Sequence, residues 1–314
     1  MTHQAFAFVF PGQGSQAVGM LDAWGDHPAV TSTLAEASEA LGEDIAALIK
    51  AGPKEQLDLT TNTQPVMLTA GIACYRAWIA ETGLVPAAAA GHSLGEYTAL
   101  VAAGALTLAD ALPLVRFRAQ AMQQAVPVGV GAMAAILGLE TQAVHEVCLQ
   151  AAAATGEAVE AVNFNDPKQT VIAGTKAGVD KASELLKAAG AKRCLPLSVS
   201  APFHSSLMKP AAEALKAKLA TTPFGPMLFP IINNIDVASV IGSEALSDAL
   251  YRQAFGPVRW VEVVQALKAR GLRHVIECGP GKVLSGMAKR IDAEIISASV
   301  FDPASLADVK ALLQ

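Results

Sequence analysis

Apolar residues fall along the chain in short unbroken runs separated by helical stripes. Ala5 to Phe10 is an apolar run of strand length, stopped by Pro11-Gly12, and predicts a strand buried on both faces. Apolar stripes predict helices over Thr31 to Leu41, Ile45 to Ile49 and, at greater length, Pro65 to Trp78. The run ending at Ala90 predicts a strand, although alanine is a poor strand former. Glu96 to Ala103 and Leu108 to Gln124 then predict two more helices. Arg116 and Arg118 on the second are two positions apart, so at most one can face a shared site.

The rhythm changes at Pro127-Val128-Gly129-Val130-Gly131. Strands are predicted at Ala132 to Leu137, Ala158 to Phe164, Thr170 to Ala173 and Lys192 to Leu197, with helices at Thr141 to Ala154 and Val179 to Ala189. Asn165-Asp166-Pro167 marks a hairpin turn. That order, β-α-β-β-α-β, is the ferredoxin-like split arrangement. A loop follows from Ser200 to Ser206, in which Pro202 restricts Ala201 to extended geometry. Strands are then predicted at Phe229 to Ile232, Val275 to Cys278 and Ile295 to Val300. Helices are predicted at Met208 to Leu219, around Trp260 to Leu267, after Gly281 and from Ser305. The expectation is an α/β fold in which residues 1–127 and 199–314 form a large, mostly parallel part, and residues 128–198 an inserted small subdomain. The loops at Gly12, Ser93, Asn233 and Gly279 each follow a predicted strand. They should gather on one edge of the sheet, where ligands of such folds bind.

The 314 residues are 52% hydrophobic and 16% charged, which permits a large core and excludes global disorder. A net charge of −5 without any like-charge block gives no hint of nucleic-acid binding. The apolar region Tyr97 to Val115 is interrupted by Thr107, Asp110 and Pro113, so it reads as core rather than a membrane span. The N-terminal run is too short for a signal peptide. A soluble cytoplasmic protein, with no membrane or nucleic-acid partner, is expected. Cys74, Cys148, Cys194 and Cys278 lack metal-ligand spacing and are expected to be buried thiols, with no metal site.

The candidate chemistry lies at Gly91-His92-Ser93-Leu94-Gly95, a G-x-S-x-G pattern. It describes a sharp strand-to-helix turn with a serine at its apex. The following helix would point its free N–H groups at that serine. The loop Gly12-Gln13-Gly14 misses dinucleotide-binding spacing because Ala17 stands where a third glycine is needed. It is either an ordinary tight turn or a means of bringing backbone amides close to something small. A serine needs a base. Among six histidines, His204 lies in the Pro-containing loop downstream of Ser93 and is the candidate, against a loop histidine bonded only to backbone. No acid stands out to orient it. Glu277 and Asp236 follow strands, and a carbonyl could serve instead.

The segments Phe10-Pro11-Gly12-Gln13-Gly14-Ser15-Gln16, Thr63-Gln64-Pro65, Gly91 to Glu96, Gly131-Ala132-Met133, Ala161-Val162-Asn163, Ala201-Pro202-Phe203-His204 and Glu277 to Gly281 together resemble the malonyl-CoA:acyl carrier protein transacylases. These belong to the acyltransferase family of fatty acid and polyketide synthesis. The resemblance implies a hydrolase-like large subdomain and transfer of a malonyl group from malonyl-CoA to acyl carrier protein, without a cofactor. It implies Ser93 as nucleophile, His204 as base, the amides of Gln13 and Leu94 as oxyanion hole, and Gln253 as the carbonyl that orients the histidine. Arg118 would bind the malonyl carboxylate, with Gln64, His92, Asn163 and Asn234 around the substrate. Arg116 has no implied role and reads as a solvated helix charge. Leu94 and Phe203 match the malonyl rather than the methylmalonyl type. A serine thioesterase with the same elbow is the alternative. Lys192, Arg193 and Lys209 are possible contacts for an acidic partner, and the protein is expected to be a monomer.

Overall fold

The structure, a computed structural model, describes residues 3–199 and 201–314; Ser200, the first residue of the expected loop, lies outside them. Among the described residues nine strands form two sheets. They are β1 (Phe6–Phe10), β2 (Ala88–Gly91), β3 (Gly131–Leu137), β4 (Val159–Asp166), β5 (Gln169–Thr175), β6 (Arg193–Pro196), β7 (Ile231–Ile232), β8 (His274–Cys278) and β9 (Ile296–Val300). The first sheet has the order β7-β2-β1-β8-β9 and is parallel throughout. The second has the order β4-β5-β3-β6 and is antiparallel.

The aromatic run of β1 is what a central parallel strand requires. Phe6, Phe8 and Phe10 enter one core and Ala7 and Val9 the core on the opposite face, because successive side chains alternate across a sheet. Phe6 and Phe8 pack edge-on against each other and Trp78, Phe8 and Phe10 pack edge-on against Tyr75, and Phe8 and Phe10 meet at a tilt. Alanine-rich β2 runs beside β1 in full burial. Its low strand propensity is overridden by its place between two strands, with bulky Trp260 in the same core as Ala88 and Ala90.

The elements follow the sequence pattern with some displacements. The long helix spans Thr60–Thr82 rather than starting at Pro65, and it carries Pro65 within it. It is buried around most of its circumference, so packing outweighs the proline. Asn165 and Asp166 stay within β4 and the chain turns at Pro167-Lys168, where the Asp166 carboxylate accepts the Lys168 N–H at 2.9 Å. Helix Ser243–Phe255, which carries Gln253, was not expected. Cys74, Cys148 and Cys278 are buried, but Cys194 is only half-buried because β6 is an edge strand.

Helices Thr141–Thr155 and Lys176–Ala188 cover one face of the antiparallel sheet. Its other face, with Met133, Val162 and Val171, packs with Val199 and Phe203. Strand β4 makes an isolated bridge with Val258, which is buried in the core against the first sheet: the Val258 N–H donates to the Val162 carbonyl at 2.8 Å, and the Phe164 N–H to the Val258 carbonyl at 2.9 Å. No helix among the described residues is long and apolar enough to cross a membrane.

Candidate active site

The elbow is built by close approach of backbone. At Gly95 a Cβ would stand 2.0 Å from the Phe10 carbonyl oxygen, and at Gly91 it would stand 1.8 Å from Gly95. Neither position admits a side chain. Between them Ser93 has φ of 53°, a left-handed conformation that costs a non-glycine residue energy and persists only where surroundings enforce it. Here Asn234 enforces it. Its Oδ1 accepts the Ser93 N–H at 2.7 Å and its Nδ2 donates to the Gly91 carbonyl at 2.7 Å. Helix Gly95–Ala102 starts directly beyond.

His204 is brought to the serine from 111 positions away in sequence, with 2.7 Å between Nε2 and Oγ. Its own φ is 65°. Its Nδ1 lies 2.9 Å from the main-chain oxygen of Gln253. A carbonyl can only accept, so Nδ1 carries the proton and Nε2 accepts from the serine hydroxyl. Burial, followed by the nearby Arg118 charge, pushes the imidazole pKa down to about 3, so the ring is neutral at neutral pH. Among the described residues no carboxylate orients it. Glu277 accepts the Ser285 N–H instead, and Asp236 pairs with Arg252.

Arg118 is 2% exposed. It donates through Nη1 to Gln64 Oε1 at 2.8 Å, and through Nη2 to Gln253 Oε1 at 3.1 Å and Ser93 Oγ at 3.2 Å. The guanidinium also lies over the Tyr97 ring, and burial lowers its pKa. Arg116 does not share this site. It pairs with Glu43 at 2.8 Å through a side chain that is 16% exposed, so it is a paired charge rather than a freely solvated one.

These groups open into a cavity of about 210 Å³ lined by Gln13, Gln64, His92, Ser93, Leu94, Arg118, Asn163 and His204. Its apolar wall includes Met122, Met133, Val171, Phe203 and Met287. Among the described residues, the backbone N–H groups of Gln13 and Leu94 donate to no protein acceptor. Asn234 does not reach the cavity; it is fully buried behind the elbow. Gln253 lies behind the wall as well. His92 bridges to the second sheet, with Nε2 at 2.8 Å from Asn165 Oδ1. Asn165, Tyr97 and the buried Glu96 were missed as participants. Glu96 was legible only as an acidic residue in the first turn of a helix. No cluster of three or more metal-ligating side chains occurs among the described residues.

The sequence matches the acyl transferase domain family over residues 7–297. The chain belongs to that family. The malonyl CoA-acyl carrier protein transacylase of Escherichia coli K12 is 50% identical over 303 residues, covering 96% of this chain and 97% of the relative. The Bacillus subtilis enzyme of the same name is 45% identical over 301 residues, with 96% and 94% coverage. Among solved structures, the acyl-carrier-protein S-malonyltransferase of Burkholderia pseudomallei superposes with a TM-score of 0.96 at 63% identity, covering 98% and 99% of the two chains. A malonyl-transacylase solved in complex with its type II polyketide-synthase acyl-carrier protein gives 0.96 at 47% identity, with coverage of 98% and 99%.

Proposed function

We propose that this acyl transferase moves a malonyl group from coenzyme A to the phosphopantetheine thiol of acyl carrier protein, through an ester on Ser93. His204 Nε2 takes the proton of the Ser93 hydroxyl as Oγ attacks the thioester carbonyl. The oxyanion that forms is received by the N–H groups of Gln13 and Leu94; losing one such donor costs about 2.7–4 kcal/mol in comparable sites. The carbon–sulfur bond breaks, and His204 returns its proton to the departing coenzyme A thiolate. The carrier thiol then gives its proton to His204 and attacks the ester. A new thioester forms and Ser93 recovers its hydroxyl proton, which completes a ping-pong cycle.

The observation that carries this reading is the buried guanidinium of Arg118, 3.2 Å from the Ser93 hydroxyl inside the same cavity. A thioester with a free carboxylate at its far end satisfies both groups at once, whereas a general thioesterase has no use for the cation. Gln64, His92 and Asn163 complete the polar wall around the acyl group, and Asn234 supports it from behind. The antiparallel sheet with its two helices is read as a ferredoxin-like small subdomain inserted at residues 128–198 into a hydrolase-like large one, and it supplies the far wall of the cavity. The protein is taken to act as a cytoplasmic monomer.

Mass spectrometry of the protein mixed with malonyl-CoA tests the reading. A single malonyl adduct is expected on the wild type and none on Ser93→Ala. An unlabelled wild type, or free malonate released without a thiol acceptor as fast as transfer with one, would overturn it.

A further inference from the structure

We propose that Glu96 is a positioning residue of the transfer reaction, whose carboxylate fixes the two residues that hold Ser93 and His204 together. This role rests on the reading of Ser93 as the acylated serine. Glu96 is 2% exposed. Its Oε2 accepts the Asn234 backbone N–H at 2.9 Å and the Gln253 side-chain Nε2 at 2.9 Å. Each of those residues governs the reacting pair. Asn234 holds the Ser93 N–H through Oδ1. Gln253 holds His204 through its main-chain carbonyl and the Ser93 carbonyl through Nε2, at 3.1 Å. A single carboxylate oxygen is therefore one residue removed from both the nucleophile and its base.

The need for an acceptor at position 96 follows from Gln253. Its amide lies between Glu96 on one side and Arg118 on the other. A carboxylate only accepts and a guanidinium only donates. The pair therefore allows one amide orientation, with nitrogen toward Glu96 and oxygen toward Arg118. Methionine at position 96, of similar length but without an oxygen, would leave both donors unmet, whereas glutamine can present its one amide oxygen to both, as Oε2 does. Burial of an unmet donor is costly. Burial also pushes the Glu96 carboxyl up to about 7 against the hydrogen bonds from Gln253 and Asn234, so these contacts sustain the charge only in part.

Pre-steady-state acylation by malonyl-CoA, followed as the Ser93 adduct, tests the role. In Glu96→Met the acylation rate at saturating malonyl-CoA is expected to fall about 10- to 100-fold, as misplacement of a reacting group by about 1 Å does, with KM changed less than about threefold, and Glu96→Gln, which keeps an acceptor for both donors, is expected to restore most of the rate. Gln253→Ala removes the amide but keeps the carbonyl that holds His204. Adding Glu96→Met to it should slow acylation by far less than Glu96→Met does alone, because residues acting through one network are not additive. An unchanged acylation rate, an effect on KM alone, or losses that multiply in the double variant would each overturn the role. If Glu96→Met does not fold, Gln253→Ala and Asn234→Ala test the same wiring: slowed acylation in both supports it, and wild-type rates in both overturn it. An unlabelled wild type would remove both this role and the malonyl-serine reading. A labelled wild type with unaffected variants removes only the role.

Discussion

Nη2 of Arg118 donates to the Ser93 hydroxyl across 3.2 Å. The cation thus stands beside the nucleophile, where it would meet the carboxylate of the proposed malonyl thioester, two carbons from the carbonyl under attack. Charge-assisted hydrogen bonds contribute about 1.5–3 kcal/mol, so Arg118→Ala should lower malonyl transfer about 10- to over 100-fold more than acetyl transfer. Lysine should restore little, because it lacks the planar fork that engages Gln64, Gln253 and a carboxylate together. Parallel assays with malonyl- and acetyl-CoA check this; equal losses would make the arginine a structural strut.

The imidazole of His204 should not titrate in the range usual for histidine. Its folded pKa is pushed down to about 3, below the usual value of about 6.5. Followed by NMR from about pH 8 to about pH 5, its ring signals should stay in place. The sign for stability follows. A depressed pKa means that the unfolded chain binds the proton first, so this contribution is present above about pH 6.5 and is lost as pH falls toward 3. A ring that titrates with a midpoint near 6.5 would show a solvated histidine and a site more open than the one described.

Gly95→Ala should be among the most damaging single-methyl changes in the chain. The new Cβ would stand 2.0 Å from the Phe10 carbonyl oxygen, and neither partner is a flexible side chain. Overpacking usually costs about 1–3 kcal/mol, occasionally more, and this contact belongs at the upper end. Gly286→Ala is the comparison: its Cβ would meet only the tip of Arg290 at 3.4 Å, on a helix that favours alanine by about 0.5–1 kcal/mol. Thermal unfolding should show a lower midpoint or no folded protein for Gly95→Ala, and an unchanged or raised midpoint for Gly286→Ala.

Arg116→Ala should leave transfer rates at wild-type values. Its Glu43 partner is 49% exposed, and pairs of that kind contribute about 0.2–1 kcal/mol. A small loss of thermal stability is the expected outcome. A fall in malonyl transfer comparable to that of Arg118→Ala would mean that both arginines act on the site.

The α/β class, the nine strands among the described residues and the elbow were legible in the sequence, because each is written in local pattern. An apolar run closed by Pro11-Gly12 can hardly be anything but a buried strand, and glycines flanking Ser93 leave few conformations for the turn. Two arginines at a spacing of two had to face differently, although the pattern could not say which one turned inward. Resemblance to known relatives, rather than pattern, pointed to Arg118 and to Gln253 as the support of His204. The sequence did not reveal Glu96 as more than a first-turn acid, and the resemblance placed Asn234 beside the substrate rather than behind the elbow. Contacts such as Glu96 with Gln253, or Ser93 with Asn234, join residues 157 and 141 positions apart. No local periodicity encodes them, because they exist only once parallel strands have aligned their carboxyl ends and packing has excluded water. The chain by itself determined which residues could do the chemistry. Burial and the meeting of distant loops decided which of them touch, which are charged and which merely hold the others in place.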